Sequence, residues 1–123
     1  MRESMLVHDI IRGLYGVCQL MRANVGSVRT ADGRRFSTGL PKGFPDLFGI
    51  IPSWLTVDGH PRTVFIECKV RPNKPTPEQL AFIEKYRRMG CIAGIAYSVD
   101  DAWGLILPYL KPQHHILKIY YTA

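Results

Sequence analysis

The stretch Thr63-Val-Phe-Ile-Glu-Cys-Lys-Val70 is the clearest strand signal in the chain, with β-branched residues at positions 63, 64, 66 and 70. Side chains alternate along a strand, so Glu67 and Lys69 share one face while Ile66, Cys68 and Val70 share the other. An acid and a base therefore stand side by side in an otherwise apolar run. Upstream, Asp58-Gly59 supplies hairpin-turn chemistry, and Leu47 to Ile51 reads as a buried strand entered through the glycine- and proline-rich approach from Thr38 to Pro45. Antiparallel pairing of the two strands brings Asp46 beside Glu67.

Working outward, Leu6, Val7, Ile10, Ile11 and Leu14 recur at helical spacing from Glu3 to about Tyr15. At 100° per residue Glu3 points inward with this apolar stripe and Asp9 points outward. The segment from Val17 to Thr30 reads as a strand that turns at Ala31-Asp32-Gly33-Arg34 and returns over Arg35 to Ser37. Downstream, Thr76-Pro77-Glu78-Gln79 places a capping residue, a proline at the first helical position and a glutamine three residues after the cap. Leu80, Ile83, Tyr86 and Met89 are the expected apolar face of that helix, and Gly90 its end. Cys91 to Tyr97 reads as a strand, Ser98 and Asp101 open a short helix, and Ile116 to Tyr121 is the expected last edge strand. Trp54 and Trp103 are expected to anchor apolar packing, Trp54 by covering the sheet edge. This order predicts one α/β domain over residues 1–123, with a sheet flanked by helices on both sides.

Composition narrows the partner. Sixteen Lys and Arg against ten Asp and Glu give a formal charge of +6, which favours a polyanion through counterion release. Cys18, Cys68 and Cys91 are odd in number and widely spaced, with no CxxC pair, and read as buried thiols of a reducing compartment. The sequence begins directly in an amphipathic pattern without a signal-like or membrane-length apolar run, so an intracellular, soluble protein is expected.

Two carboxylates brought as close as Asp46 and Glu67 repel unless a divalent cation sits between them, and magnesium suits hard oxygen ligands. Asp46 and Glu67 are the candidate ligands, with the backbone carbonyl of Cys68 as a third. Phosphodiester hydrolysis needs a nucleophilic water and neutralisation of developing charge. Lys69 is placed to orient that water or to stabilise the phosphate. Arg22, Arg29, Arg34, Arg35 and Lys42 lead up to Asp46, while Arg71 and Lys74 follow Lys69, so both basic stretches adjoin the site as candidate DNA contacts. Asn24 contacts backbone or sugar, or caps a turn.

At these residues the chain resembles the virus-type replication-repair nuclease (VRR-NUC) domain of the PD-(D/E)xK superfamily. The resemblance runs over about the first hundred residues: Glu3, Arg22-x-Asn24-x-Gly26, Gly43-x-Pro45-Asp46, Glu67-x-Lys69, Thr76-Pro77-Glu78-Gln79 and Gly90. It implies a restriction-endonuclease-like core, a catalytic set of Asp46, Glu67 and Lys69, and Glu3 as an auxiliary acid at the metal site. It also implies that Gln79 faces the active centre, whereas the capping pattern alone has Gln79 close onto Thr76. Some relatives carry a tyrosine four residues after this glutamine; here Ile83 stands there. A phage-type, Mg2+-dependent endonuclease is implied, with Mn2+ as substitute, acting as a homodimer on four-way (Holliday) DNA junctions. The alternatives are an exonuclease or flap nuclease of the same fold, and a non-catalytic DNA-binding module.

Overall fold

The computed structural model describes residues 1–24 and 27–122. In chain order the elements are α1 (Glu3–Leu14), β1 (Gln19–Arg22), β2 (Ser27–Arg29), β3 (Arg35–Ser37), β4 (Leu47–Ile51), β5 (Arg62–Cys68), α2 (Pro77–Arg88), β6 (Ile92–Ala96), α3 (Val99–Ile106) and α4 (Ile116–Thr122). Gly26, part of the motif quoted above, lies outside the described residues. The main sheet has the order β1-β4-β5-β6, antiparallel except for the parallel pair β5–β6. It is the expected mixed sheet between two helical layers.

Alternation along β5 divides the core. Val64, Ile66 and Cys68 face α1 and α3, where they join Leu6, Ile10, Leu14, Trp103 and Ile106. Trp103 is fully buried, as expected, and its indole N–H donates to the Gly13 carbonyl at 2.9 Å. Phe65 faces the opposite way and packs with Phe82, Ile83 and Ala93, while Phe44, Phe48 and Tyr86 close the edge of this cluster. In α2 the inner face is Phe82, Ile83 and Tyr86, whereas Leu80 and Met89 are exposed. The helix is rotated relative to the sequence expectation because the large Phe82 ring outcompetes Leu80 for the aromatic pocket. This rotation turns Gln79, one helical turn before Phe82 and Ile83, toward the sheet.

Three further expectations need correction. The segment from Val17 to Thr30 is divided between β1 in the main sheet and β2, which pairs with β3 in a separate two-stranded arm. Ile116 to Tyr121 is helix, not an edge strand. Its strand-like composition yields to i, i+4 packing: Leu117 meets the core, and the Tyr121 ring lies against Gly16 of the α1–β1 connection. Trp54 covers no core; it stands 70% exposed on a one-turn 3-10 helix between β4 and β5. Of the three cysteines, Cys18 and Cys68 are buried and Cys91 is half-buried. Among the described residues no helix is long and apolar enough to cross a membrane.

Two glycines in similar-looking contexts should respond oppositely to one added methyl. A Cβ at Gly49 would collide with the Gln19 carbonyl of the neighbouring strand, so Gly49→Ala should destabilise by about 1–3 kcal/mol through a forced backbone shift. Gly104 sits in α3 with open space around it, and Gly104→Ala should stabilise by roughly 0.5–1 kcal/mol. Urea-unfolding midpoints of the two variants check both signs.

Candidate active site

Strands β4 and β5 pair with Leu47 opposite Ile66, so one step further along the ladder Asp46 meets Glu67. The two strands exchange backbone for side chain: the Asp46 N–H donates to Glu67 Oε1 at 3.2 Å, and the Cys68 N–H donates to Asp46 Oδ2 at 2.9 Å. Glu67 is only 2% exposed and, with Thr56, is one of two buried polar residues among those described. Glu3 arrives from the first turn of α1, as its inward direction predicts. Carboxylate oxygens of Glu3, Asp46 and Glu67 all lie within 4.8 Å of one another.

Burial disfavours the charged form of Glu67, and the Asp46 carboxylate adds repulsion and a carboxyl–carboxyl hydrogen bond. Together they push Glu67 from 4.5 up to about 8 against the opposing pull of Lys69. Glu3 is raised as well, first by burial and then by Asp46, with Lys69 and Arg22 pulling it back. The Lys69 Nζ lies 3.7 Å from Glu67 Oε2, with its side chain 12% exposed. Burial raises the Cys68 thiol, and the Asp46, Glu67 and Glu3 carboxylates raise it further, so its sulfur stays a neutral packing group.

Gln79 fills both roles that the sequence left open. Its Oε1 accepts from the Thr76 N–H at 2.9 Å, completing a capping box in which Thr76 Oγ1 accepts from the Gln79 N–H. Its Nε2 donates to Glu67 Oε2 at 3.1 Å. The cap decides the orientation of the amide, since the Thr76 N–H requires an acceptor, and the amine is thereby aimed at Glu67.

Asp46, Glu67 and Gln79 open onto a groove of about 700 Å³. Of the predicted DNA contacts, Arg22, Asn24 and Lys42 line it, and Lys42 forms a 3.6 Å ion pair with Glu78. Arg34 and Arg35 line a neighbouring hollow on the β2–β3 arm, and Arg29 stands on β2. Arg71 turns away to lie over the Tyr97 ring at 4.3 Å, and Lys74 is exposed on the same loop. Neither lines the groove. Phe36, passed over by sequence reading, does. Its only signal was an aromatic placed between the arginines and the Thr38–Pro45 approach.

No family model and no curated protein matches the sequence. A solved structure described as a VRR_NUC domain is similar to this chain with a TM-score of 0.56 at 23% identity, covering 87% of this chain and 96% of that one. The chain thus has the fold of a VRR_NUC domain, and the fold expected from Asp46 and Glu67-x-Lys69 is borne out.

In chelator, the folded chain retains a Glu67 proton that the unfolded chain releases near 4.5, so stability should fall as pH rises from there through about 8. Glu67→Gln should flatten that slope, as read by urea unfolding across the range. Gln79→Glu separates the two jobs of the glutamine: the capping box survives, but a carboxylate replaces the donor to Glu67. Helix stability at pH 6 should hold, whereas the loss of stability with rising pH should extend to higher pH, because the new carboxylate beside Glu67 further disfavours its charged form. Thr76→Ala should do the reverse, costing about 1 kcal/mol of stability with the pH dependence kept.

Proposed function

We propose that this VRR_NUC-fold chain is a divalent-metal-dependent nuclease of the PD-(D/E)xK type acting on DNA, and specifically a structure-selective endonuclease that resolves four-way junctions as a homodimer. The observation that carries the reading is the convergence of Glu3, Asp46 and Glu67, with Lys69 beside Glu67, where Asp46 and Glu67 open onto a groove bordered by Arg22 and Lys42. Three carboxylates this close, one of them buried, fit a small hard cation, and the donor set suits Mg2+ with Mn2+ as substitute. Asp46, Glu67 and Glu3 would hold it, together with the Cys68 backbone carbonyl. A cation bound there supplies charge neutralisation at the phosphate and a more acidic water.

The protein's own groups do the rest. Gln79 fixes the Glu67 carboxylate through Oε2 and Asp46 N–H fixes it through Oε1, so both oxygens are oriented before any ion arrives. Lys69 presents a cationic donor beside Glu67, where it orients a water or takes up charge on a phosphate oxygen. Arg22, Asn24 and Lys42 bind the substrate strand at the groove. Arg29, Arg34 and Arg35 extend that contact along the arm, and Arg71 and Lys74 offer a further basic loop.

A homodimer gains support from α4, whose outer face exposes Ile116, Ile119 and Tyr120. A closed two-fold pair would offer two sites to two strands of a branched substrate.

The test is incubation of purified protein with end-labelled four-way junction, flap, duplex and single-stranded DNA in Mg2+, Mn2+ or EDTA, with the protein's mass measured in parallel by sedimentation. Metal-dependent, paired internal nicks in the junction and a dimer mass are expected. Asp46→Asn and Glu67→Gln should each abolish cleavage with the fold intact, and Lys69→Ala should slow it by about 10²–10³-fold while Mn2+ still binds. Full activity in either carboxylate variant would sink the assignment, and cleavage from ends alone would replace the endonuclease by an exonuclease.

A further inference from the structure

The β2–β3 arm carries a feature that neither the metal site nor the fold requires. Phe36, in the middle of β3, is 62% exposed, and the arm lies outside the main sheet with its two strands paired only to each other. Among the described residues the ring meets no other aromatic ring. A bare phenylalanine on a two-stranded arm contributes little to folding, because a two-stranded ribbon has no core of its own to fill.

The charges around it point to a polyanion. Arg29 and Arg35 are directly opposite in the arm's register, an arrangement of like charges that destabilises a strand pair. Among the described residues neither forms an ion pair, whereas Arg34 is tied to Asp32 at 2.9 Å. Phe36 lines the groove that holds Asp46 and Glu67, and it also lines the hollow formed with Arg34 and Arg35. A strand leaving the carboxylates therefore passes the ring before it reaches the arm's arginines.

We propose that Phe36 is a stacking platform for an unpaired nucleobase, holding a single-stranded segment of the DNA between the carboxylate groove and the Arg29–Arg35 arm. The proposal rests on the nucleic-acid substrate read above and deepens it by naming unpaired nucleotides as what the arm recognises. A face of an aromatic ring takes any base, so the contact selects for lack of pairing and not for sequence. The arginines supply the phosphate contacts, which carry the salt dependence.

The test uses the 123-residue chain in EDTA, so that binding is read without cleavage. Fluorescence anisotropy would compare a labelled single-stranded oligonucleotide with the same sequence in duplex. Phe36→Ala should weaken single-strand binding about tenfold and duplex binding less than about twofold, because one base–ring stack is lost. Its log-log salt slope should match that of the parent chain, while Arg35→Ala should lower the slope. Phe36→Tyr should restore the affinity and Phe36→Leu should not, since leucine retains the apolar cover without a π face. Equal loss on both substrates, no loss on either, or full affinity in Phe36→Leu would overturn the proposal, as would a Phe36→Ala effect confined to the sedimentation mass. The outcome is separable from the nuclease reading. A chain that cuts DNA but binds single strands independently of Phe36 retains the nuclease and loses the platform; a chain that binds through Phe36 but cuts nothing in Mg2+ or Mn2+ does the opposite.

Discussion

The exchange between Asp46 and Glu67 at the end of the β4–β5 ladder is the constraint around which the molecule is organised. Each carboxylate accepts a backbone N–H from the opposing strand, so the two acids take the place of one more rung of sheet hydrogen bonding. Buried polar groups are costly unless partnered, and here each partner is built from the other's strand. The same hydrogen bonds that end the ladder hold the two carboxylates near Glu3. Charge repulsion among the three acids is opposed by Lys69 and, in the chain by itself, relieved by a proton on Glu67.

Both helical layers are committed to this one end of β5. The α1 layer delivers Glu3 through a helix whose Leu6, Val7 and Ile10 are buried against the sheet, so the acid cannot swing away without disturbing the larger core. The α2 layer delivers Gln79 through a capping box, and its position is fixed by the Phe82–Tyr86 stack, with ring centroids 4.1 Å apart, against Phe65. Site geometry is therefore set by core packing on two sides, which favours a preorganised cradle over one that forms on binding.

Much of this was legible in the residues. Alternation in Thr63 to Val70 put Glu67 with Lys69 on one face and Ile66, Cys68 and Val70 on the other, and antiparallel pairing put Asp46 beside Glu67. Helical phase alone turned Glu3 inward. What the sequence left open has physical reasons. The capping pattern at Thr76 is complete without any active site, so the second hydrogen bond of Gln79 is visible only once Phe82 has set the rotation of α2. The run Ile116 to Tyr121 has the β-branched and aromatic composition of a strand, and the seating of Leu117 on the core and of the Tyr121 ring on Gly16 goes with its being helix. The division of Val17 to Thr30 into two sheets has no local signature, because both halves keep extended backbone. Trp54 illustrates the same limit: apolar bulk does not say which surface will be left uncovered.

Gly43 shows how tightly the two carriers of the site are joined. Its φ is +91°, a conformation open to glycine, and a side-chain carbon there would strike the backbone carbonyl of Glu78 in the first turn of α2. The loop that delivers Asp46 thus rests directly on the helix turn that delivers Gln79. Moving either one moves the other, and Glu67, bonded to both, registers the change at each of its oxygens. Among the described residues the strands of the β2–β3 arm pair with each other and not with the main sheet. Residues on the arm are free to vary without disturbing the carboxylates, whereas the loop from Lys42 to Asp46 is not. On the proposed function, chemistry and substrate choice would fall to parts of the chain with different mechanical coupling to the core.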